Sequence, residues 1–348
     1  MIACVCMVRD EADILPAFLA HAAALFDLVL AVNHASADAT PALLAAAPGV
    51  ETFRLDEPGY WQSAVTTALT RAAFARDAEW VIPLDADEFL DVPSREALRG
   101  MLGSGRAPLV NFRWRHAVPA LDDPGFPSPR WLANPAPARP GLCKIAIHRR
   151  VAAALPGFEI GAGNHSLRGA PFAKALQGET IGTLWHLPVR SRAQFTAKLA
   201  RDLATHGGIP EQSHALSVKR RLAERLATDA NGTLLRRIAL GYWERGVACL
   251  DDEGPTAIPV TPSIATAPII LSRCTGEGGT RASCRRHAFG TTRGRVRAAQ
   301  PPKPNNDIPP LPPTTLLAQA TLTDGRITLH PSPASHQRLA ALESWLTR

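Results

Sequence analysis

The sequence predicts an α/β protein built on a doubly wound, mainly parallel sheet with helices on both faces. The first observation behind this class is that short β-rich apolar runs alternate with helix-forming segments over residues 2–91. The second is composition, since 46% hydrophobic and 20% charged residues in a chain of 348 are a globular balance. The third is that the chain has neither an apolar run of about eighteen residues nor a signal-peptide pattern at its start. We therefore expect a chain that is neither secreted nor membrane-spanning.

The N-terminal elements follow one another in strand–helix order. Ile2 to Val8 is a β-rich apolar run. Apolar residues at helical spacing, with Pro16 near the start, then predict a helix over 14–26. The same periodicity argument gives, in order, a strand over 28–32, a helix over 41–47, a strand over 50–55, a helix over 61–75 and a strand from residue 80. In such sheets ligands bind at the carboxyl ends of the strands, so binding residues are expected there.

The pattern loosens after residue 91 and breaks near residue 254. From Gly254 to Pro313 the chain is rich in Pro, Gly, Thr and Arg with almost no periodicity, so we expect disorder there. The predicted organisation is an α/β domain over 1–250 that ends in helices, a basic low-complexity segment over 254–313, and a short C-terminal segment over 314–348. The expected elements after residue 91 are helices over 94–102, 192–205, 214–228, 233–249 and near 335–346, and strands over 109–114, 143–148 and 180–185.

The net charge of +7 is concentrated in the low-complexity segment. Eight Arg or Lys lie between Ser272 and Lys303 against one acid, Glu277, so the rest of the chain is balanced. A solvated tail or a membrane-surface contact explains this better than a nucleic-acid-binding domain. The six cysteines are scattered without a Cys-x-x-Cys pair, which disfavours a zinc site or a disulfide framework. We expect a cytoplasmic protein, with peripheral contact to the inner membrane through the tail left open.

The stretch from Trp80 to Asp91 carries the strongest chemical signal. A buried-strand pattern runs straight into the carboxylates Asp85, Asp87 and Glu88. Side chains two apart on a strand point the same way, and paired carboxylates need a cation or a shared proton to offset their repulsion. Mn²⁺ or Mg²⁺ would suit them, because these ions take oxygen ligands and couple carboxylates to phosphates. The sequence therefore predicts a metal–diphosphate site, with an acidic solvated turn as the alternative.

Five segments of the chain form a recognisable series. They are Val8-Arg-Asp-Glu-Ala-Asp-Ile-Leu-Pro16, Asn33-His-Ala-Ser-Ala-Asp-Ala-Thr40, Val81-Ile-Pro-Leu-Asp-Ala-Asp-Glu-Phe89, Gly161-Ala-Gly-Asn-His-Ser166, and Trp185-His-Leu-Pro-Val-Arg-Ser-Arg-Ala-Gln-Phe195 with Lys198. In this order and spacing they resemble the family 2 glycosyltransferases of the GT-A fold, and more narrowly the bacterial branch called glycosyltransferase family 2 like. The resemblance covers residues 1–230. It implies metal-dependent, inverting transfer of a sugar from a nucleotide-sugar donor to a carbohydrate or lipid-linked acceptor, in bacterial surface or extracellular polysaccharide assembly.

The resemblance also assigns roles to individual residues. Asp87 would bind Mn²⁺ or Mg²⁺ directly, Asp85 would contact the metal or the donor ribose, and His186 would complete the metal ligands. The alternatives from the residues alone are a helix cap for Asp38, a turn for Asn164-His165 and a structural role for His186. The implied nucleotide-sugar pocket consists of Arg9, Glu11, Asp38, Gln62, Asp85, Asn164 and His165.

One departure from the family concerns the general base, which an inverting transferase needs to deprotonate the acceptor hydroxyl. Many family 2 enzymes take this base from an acidic pair that follows the Asp-x-Asp segment. Here Glu159 and Glu179 are the only acids between residues 124 and 201, and neither stands in a Glu-Asp pair, so we expect Glu159 to serve, with Asp91 as the alternative. Arg190, Arg192 and Lys198 would offset phosphate charge, or else form a solvated helix face.

Two other functions stay open at this point. A catalytically degenerate GT-A module would bind a sugar nucleotide or a partner without turnover, which the missing acidic pair favours. A phosphotransferase or phosphatase built on Asp-x-Asp would need a Thr where Phe89 stands, so we disfavour it. Release of free nucleotide separates a transferase from the degenerate module.

Overall fold

The computed structural model describes residues 1–57, 59–104, 107–119, 131–133, 143–168, 178–206, 213–229, 235, 238, 258–260 and 318–331. Its strands are β1 (Ile2–Val8), β2 (Leu28–His34), β3 (Val50–Leu55), β4 (Trp80–Pro83), β5 (Glu88–Leu90), β6 (Leu109–Pro119), β7 (Trp131–Ala133), β8 (Cys143–His148), β9 (Glu159–Ile160), β10 (Leu167–Arg168), β11 (Thr180–His186), β12 (Ile258–Val260), β13 (Ala318–Thr323) and β14 (Arg326–Pro331). Its helices are α1 (Leu15–Leu25), α2 (Thr40–Ala45), α3 (Gln62–Ala75), α4 (Arg95–Ser104), α5 (Arg149–Ala154), α6 (Arg192–His206) and α7 (Ser213–Ala227), with a short 3₁₀ turn at Ala162–Asn164.

The centre of the sheet is parallel. Strands β4, β1, β2 and β3 lie side by side in this order, and β1 pairs with β2 up to Val8 and Asn33. Beyond β4 the sheet continues through β8 and β6, each antiparallel to its neighbour, and β11 joins β6 in parallel. Strand β5 pairs with β11 and sets Glu88 opposite His186. The carboxyl ends of β1, β2 and β4 therefore lie along one edge of the sheet.

Helices cover both faces of the sheet. Because side chains alternate along a strand, Cys4 and Cys6 of β1 point into a core with α1 and α4, whereas Ala3 and Val5 point into a second core with α3 and α5. Each fully buried large side chain in these cores, such as Phe18 of α1, contributes about 1.5–3 kcal/mol of burial free energy. The arrangement confirms the predicted α/β class with a mainly parallel sheet.

The observed bounds follow the predicted ones closely in the first half of the chain. The strands predicted over 2–8, 50–55 and 143–148 are confirmed residue for residue, whereas those predicted to end at 32, 114 and 185 continue to His34, Pro119 and His186. The helix predicted over 233–249 lies outside the described residues except at 235 and 238, and the one near 335–346 lies wholly outside them. Strand β12 falls inside the segment expected to be disordered and pairs with β7, while the rest of that segment lies outside the described residues.

A hairpin formed by β13 and β14 was absent from the sequence-based predictions. Asp324 (φ 46°) and Gly325 (φ 75°) form its turn, and positive φ at both central residues is the type I′ arrangement that matches strand twist. Ile327 is 4% exposed and joins the core beneath α3. Asp-Gly between alternating residues is a hairpin signal that the sequence does carry.

Two properties of the described chain bear on membranes and on thiol chemistry. No helix within the described ranges is both long and apolar enough to cross a bilayer. Cys4, Cys6 and Cys143 are free thiols. Cys6 packs in the core, and burial raises its pKa to about 12. The reactive thiolate form is therefore disfavoured at neutral pH.

Candidate functional site

Side chains from several elements converge beyond the carboxyl end of β4. Asp85 and Asp87 lie in the loop that follows this strand, and Gln62 begins α3. Lys144 lies on β8 and His186 ends β11. The Leu84 N–H still donates to the Val5 carbonyl oxygen at 3.0 Å, so the chain stays extended as it leaves the sheet. In open α/β sheets this edge is where ligands bind.

Asp85 is held by hydrogen-bond donors from three parts of the chain. Its Oδ1 accepts from Gln62 Nε2 at 2.6 Å and from Asn164 Nδ2 at 3.3 Å. Its Oδ2 accepts from Lys144 Nζ at 3.0 Å. These hydrogen bonds fix the orientation of the carboxylate. The side chain is 27% exposed, so it is still accessible. The structure thus brings into direct contact three residues that the sequence analysis places in one pocket, namely Asp85, Gln62 and Asn164.

A buried lysine that the sequence analysis missed lies beneath Asp85. Lys144 Nζ contacts Glu88 Oε2 at 2.7 Å, and neither side chain is exposed. Burial alone lowers the pKa of Lys144, but the charges of Asp85 and Glu88 more than offset this effect and raise the pKa. Burial raises the pKa of Glu88 well above its usual range, although Lys144 opposes the shift. A lysine within an apolar strand pattern is the available signal, because such a charge is rarely buried without a partner.

Asp87 lies in a second group of charges that is almost fully buried. Its Oδ2 accepts from Lys198 Nζ at 2.6 Å and lies 3.6 Å from His186 Nε2. A terminal nitrogen of Arg190 is 4.0 Å from the same oxygen. Burial alone would raise the pKa of Asp87, but Lys198 and His186 lower it well below its usual range. Asp87 is therefore ionised at neutral pH, with an ammonium group in direct contact.

Arg190 ties this group of charges to the loop before α1. Its guanidinium is 1% exposed and donates to Glu11 and, at 2.7 and 2.9 Å, to the two oxygens of Asp13. Lys198 Nζ lies 3.7 Å from Glu11 Oε1. Paired hydrogen bonds between guanidinium and carboxylate fix orientation as well as charge. Glu11, which the resemblance places in the nucleotide pocket, is therefore engaged in the ion network around Asp87.

An indole ring lies among three histidines at the same edge. Trp114 stacks on His186 with ring centroids 4.4 Å apart and meets the His165 ring edge-on at 4.6 Å. His186 Nδ1 lies 3.1 Å from His116 Nδ1, so one nitrogen donates and the other accepts. Burial lowers the pKa of His116 and of His186, which keeps this pair neutral. Trp114 ends the strand predicted over 109–114 and His116 lies beyond it, and no motif in the sequence singles out either residue.

A strained turn holds Asn164 and His165 against these groups. Gly163 has φ 77° and Asn164 has φ 60°, a left-handed conformation that costs a non-glycine residue about 1–2 kcal/mol. A Cβ at Gly163 would lie 2.5 Å from His165 Cδ2, so the close approach requires glycine. Gln62 Oε1 accepts from the Gly163 N–H at 2.8 Å and fixes the turn on α3. Strain of this kind concentrates at functional sites.

Two predicted pocket residues lie on neighbouring loops. Asp38 Oδ1 accepts from the Thr40 N–H at 2.9 Å, and its Oδ2 accepts from the Ala12 N–H at 3.0 Å. This side chain therefore joins the loops after β1 and β2 and bonds the first N–H of α2 from the residue before its N-cap, Ala39. Arg9 follows β1, and its Nε is buried without a hydrogen-bond partner among the described residues.

The two expected general bases lie on β9 and after β5. Glu159 lies on β9, whose partner is β10, and burial raises its pKa. Asp91 follows β5, and its N–H donates to the Thr183 carbonyl oxygen at 2.9 Å. Three residues of extended chain place it about 10 Å along the strand from Glu88. Their role as base stays a prediction.

These side chains fit a divalent metal ion poorly. Within the described ranges, no three His, Cys, Asp or Glu side chains converge as a metal site. Asp87 and His186 are close enough to share an ion, but Lys198 lies 2.6 Å from the same Asp87 oxygen. On Asp85, Lys144 engages Oδ2. Binding of Mn²⁺ or Mg²⁺ would have to displace an ammonium group, and the metal stays a prediction from the resemblance.

Comparisons with known proteins give weak likenesses. No family model matches the chain. A TPR repeat-containing protein of Synechococcus elongatus is 34% identical over 103 residues, which are 29% of this chain and 24% of that protein. The chain thus spans about a quarter of that relative's length.

Two solved structures resemble the fold more broadly. S. aureus TarS 1-349 in complex with UDP-GlcNAc is 12% identical with a TM-score of 0.37, over 68% of this chain and 75% of that one. A mycobacterial protein is 17% identical with a TM-score of 0.34, over 60% of this chain and 75% of that one. Likenesses of this size settle neither the fold family nor the activity.

Proposed function

We propose that this chain is a glycosyltransferase that moves a sugar from a nucleotide-sugar donor to a hydroxyl group at the site formed by Asp85 and Asp87. The observation that carries the proposal is the placement of two partly exposed side chains of opposite charge, Asp85 and Lys198, beyond the carboxyl end of β4. The sugar and ribose of a donor present hydroxyl groups, whereas its diphosphate presents anionic oxygens. The two parts of the donor therefore match these two groups.

Asp85 would orient the donor through its hydroxyl groups. An ionised carboxylate has about four acceptor positions, and Gln62, Asn164 and Lys144 use three of them. The remaining capacity is available to a ribose or sugar hydroxyl from the exposed side. The three protein donors keep the carboxylate in one orientation before the ligand arrives, which reduces the entropy cost of binding.

Lys198 and Arg190 would stabilise the leaving group. Cleavage of the bond between the anomeric carbon and the diphosphate leaves negative charge on the departing phosphate oxygen. Charges that are fixed in place beforehand stabilise such a transition state without reorganisation. Arg190 is held by Glu11 and Asp13, and Lys198 is 24% exposed, so Lys198 is the cation that a phosphate can reach.

The acceptor and the pathway follow from the resemblance. It suggests a carbohydrate or lipid-linked acceptor, inversion at the anomeric carbon, and bacterial surface or extracellular polysaccharide assembly. A divalent ion, if it displaces Lys198 from Asp87, would supply a Lewis acid at the diphosphate. The basic segment proposed for peripheral membrane contact lies outside the described residues, apart from β12 at its start.

A second candidate is a module that binds a sugar nucleotide or a partner without turnover. The sequence favours it, because the acidic pair that supplies the base in many family 2 enzymes is missing. Such a module would keep the donor pocket and lack release of free nucleotide.

A thermal-shift panel tests the donor site. UDP-, GDP-, CMP- and dTDP-sugars would be added to the wild type in EDTA and, separately, in Mn²⁺. A ligand at about a hundred times its dissociation constant stabilises by about 2.7 kcal/mol. We expect one nucleotide class to stabilise the wild type and Asp87→Asn to lose that stabilisation. Glu96→Gln, which removes a fully exposed carboxylate on α4, serves as the matched control.

The EDTA and Mn²⁺ conditions distinguish the ammonium groups from a divalent metal ion as the partner of the diphosphate. Stabilisation in EDTA supports the ammonium groups as sufficient partners of the diphosphate. Stabilisation only in Mn²⁺ would support the metal expected from the resemblance. A panel without any shift, or a shift unchanged in Asp87→Asn, would contradict the assignment of this site.

A further inference from the structure

We infer that His165 is the general base that takes the proton from the acceptor hydroxyl, an inference that rests on the proposed transferase function. The reaction needs such a group because a neutral hydroxyl is a poor nucleophile. Glu159 lies on β9 and Asp91 follows β5, whereas His165 belongs to the turn that contacts Asp85. This turn offers a titratable side chain next to both Asp85 and Trp114.

The hydrogen bond of His165 fixes which ring nitrogen is basic. Its Nδ1 lies 2.7 Å from the carbonyl oxygen of Cys143. A carbonyl oxygen only accepts, so Nδ1 carries the proton and donates. The other nitrogen, Nε2, then holds a lone pair, which is the tautomer that a general base requires.

The surroundings of His165 keep the ring neutral and correctly placed. Its edge packs against Trp114 at 4.6 Å between centroids, and the preceding residue, Asn164, donates to Asp85. Burial, with a further contribution from the charge of Lys144, lowers the pKa of His165 to about 4. The imidazole is therefore unprotonated at neutral pH and as weak a base as a carboxylate, the group that more commonly fills this role.

The neighbouring imidazoles are unsuited to the task. His116 and His186 are 3% and 5% exposed, and their Nδ1 atoms face each other at 3.1 Å. His165 is half-buried and belongs to the turn through which Asn164 contacts Asp85. An acceptor that binds beside this turn would contact His165, whereas His116 Nε2 is fully buried.

The proposed step balances as a single displacement. The acceptor O–H proton moves to His165 Nε2, and the acceptor oxygen forms a bond to the anomeric carbon. The bond from that carbon to the diphosphate oxygen breaks, and its electron pair leaves with the nucleotide. The imidazolium then returns its proton to water, and no oxidant, reductant or further reactant is needed.

The test separates the base from the binding site. His165→Asn keeps an amide N–H in the place of Nδ1–H, so the bond to Cys143 can persist while Nε2 is lost. Water serves as the acceptor, and release of free nucleotide from the sugar nucleotide found by thermal shift is the readout. His330→Gln, on the exposed face of β14, is the matched control.

We expect His165→Asn to keep donor-induced stabilisation within about twofold in affinity and to lose at least about 100-fold in kcat, with KM little changed. Added imidazole should restore part of the turnover of His165→Ala, and His330→Gln should match the wild type. Turnover of His165→Asn within threefold of the wild type, or loss of donor binding in parallel with turnover, would overturn the inference. Failure of the wild type to bind any sugar nucleotide would instead contradict the proposed function, so the two failures are distinct.

Discussion

Replacing Lys144 by methionine tests whether the ion pair beneath Asp85 holds the site together. Methionine has a similar length and no charge, so the variant keeps the volume and leaves Glu88 without a cation. Both native side chains are fully buried, and Nζ lies 2.7 Å from Oε2. When both groups are ionised, two unit charges at this separation attract by about 6 kcal/mol in an effective dielectric of about 20. The cost of taking both charges out of water offsets much of that attraction.

The net loss in the variant comes from the charge that stays behind. Removing one partner of a buried pair costs about 3–5 kcal/mol, which corresponds to a fall in Tm of roughly 6–20 °C for a domain of this size. Burial raises the pKa of Glu88 and Lys144 opposes this shift, so the pKa should rise further in Lys144→Met. A carboxyl with a raised folded pKa loses stability as pH rises above its unfolded value. The deficit of Lys144→Met should therefore be smaller at about pH 5 than at about pH 8.

Urea unfolding of a double-mutant cycle measures this coupling. We expect Lys144→Met with Glu88→Gln to be about 1–3 kcal/mol more stable than the sum of the two single changes, because the double variant buries no charge. Arg54→Met is the control, since Arg54 and Asp56 are as close, at 2.6 Å, but 68% and 40% exposed; its loss should be below about 1 kcal/mol. A Lys144→Met variant within about 0.5 kcal/mol of the wild type at pH 8, or strictly additive changes, would refute the reasoning.

Two further predictions concern backbone and capping. Gly325→Ala should lower the free energy of unfolding by about 1–2 kcal/mol, because φ is 75° although the space around the site is open. Gly100→Ala, inside α4 with equally open space, should raise it by about 0.5–1 kcal/mol. Thermal denaturation that shows the same sign for both variants would contradict this. Asp38→Ala should cost about 1 kcal/mol near neutral pH. Burial opposes the shift, but hydrogen bonds from Thr40 and Ala12 lower the pKa of Asp38, so its contribution is lost as pH falls through the folded value. Urea unfolding across acid pH checks this, and a deficit that persists below about pH 2 would contradict it.

The sequence predicts the site residues that come directly after the ends of strands. Asp85 comes directly after an apolar strand, and Gln62 begins the helix that precedes that strand. The position of Asp85 can be inferred because parallel strands bring their carboxyl ends to one edge, whereas Gln62 is placed in the pocket only by the family resemblance. The Gly-rich segment around Asn164 could be placed near them only through the family resemblance, and the structure joins it to Asp85.

The part that the sequence does not predict depends on contacts between distant residues. Lys144 meets Asp85 across 59 residues, and Lys198 meets Asp87 across 111. No local sequence pattern shows that these ammonium groups contact the carboxylates, because the contacts depend on the pairing of β8 and the position of α6. The expectation of a metal ion arose from the carboxylates alone, without the cations that the fold brings to them. Similarly, His116 becomes a site residue only because β6 lies beside β11.

The most direct test of the transferase is release of free nucleotide by the wild type and by Lys198→Met. The sugar nucleotide found by thermal shift is the donor, water is the acceptor, and Arg54→Met is the control for loss of an exposed cation. We expect the wild type to release nucleotide and Lys198→Met to be slower by at least about 100-fold, because the leaving group loses its reachable cation. Donor binding by the wild type without release of nucleotide, or unchanged release by Lys198→Met, would contradict the proposed function.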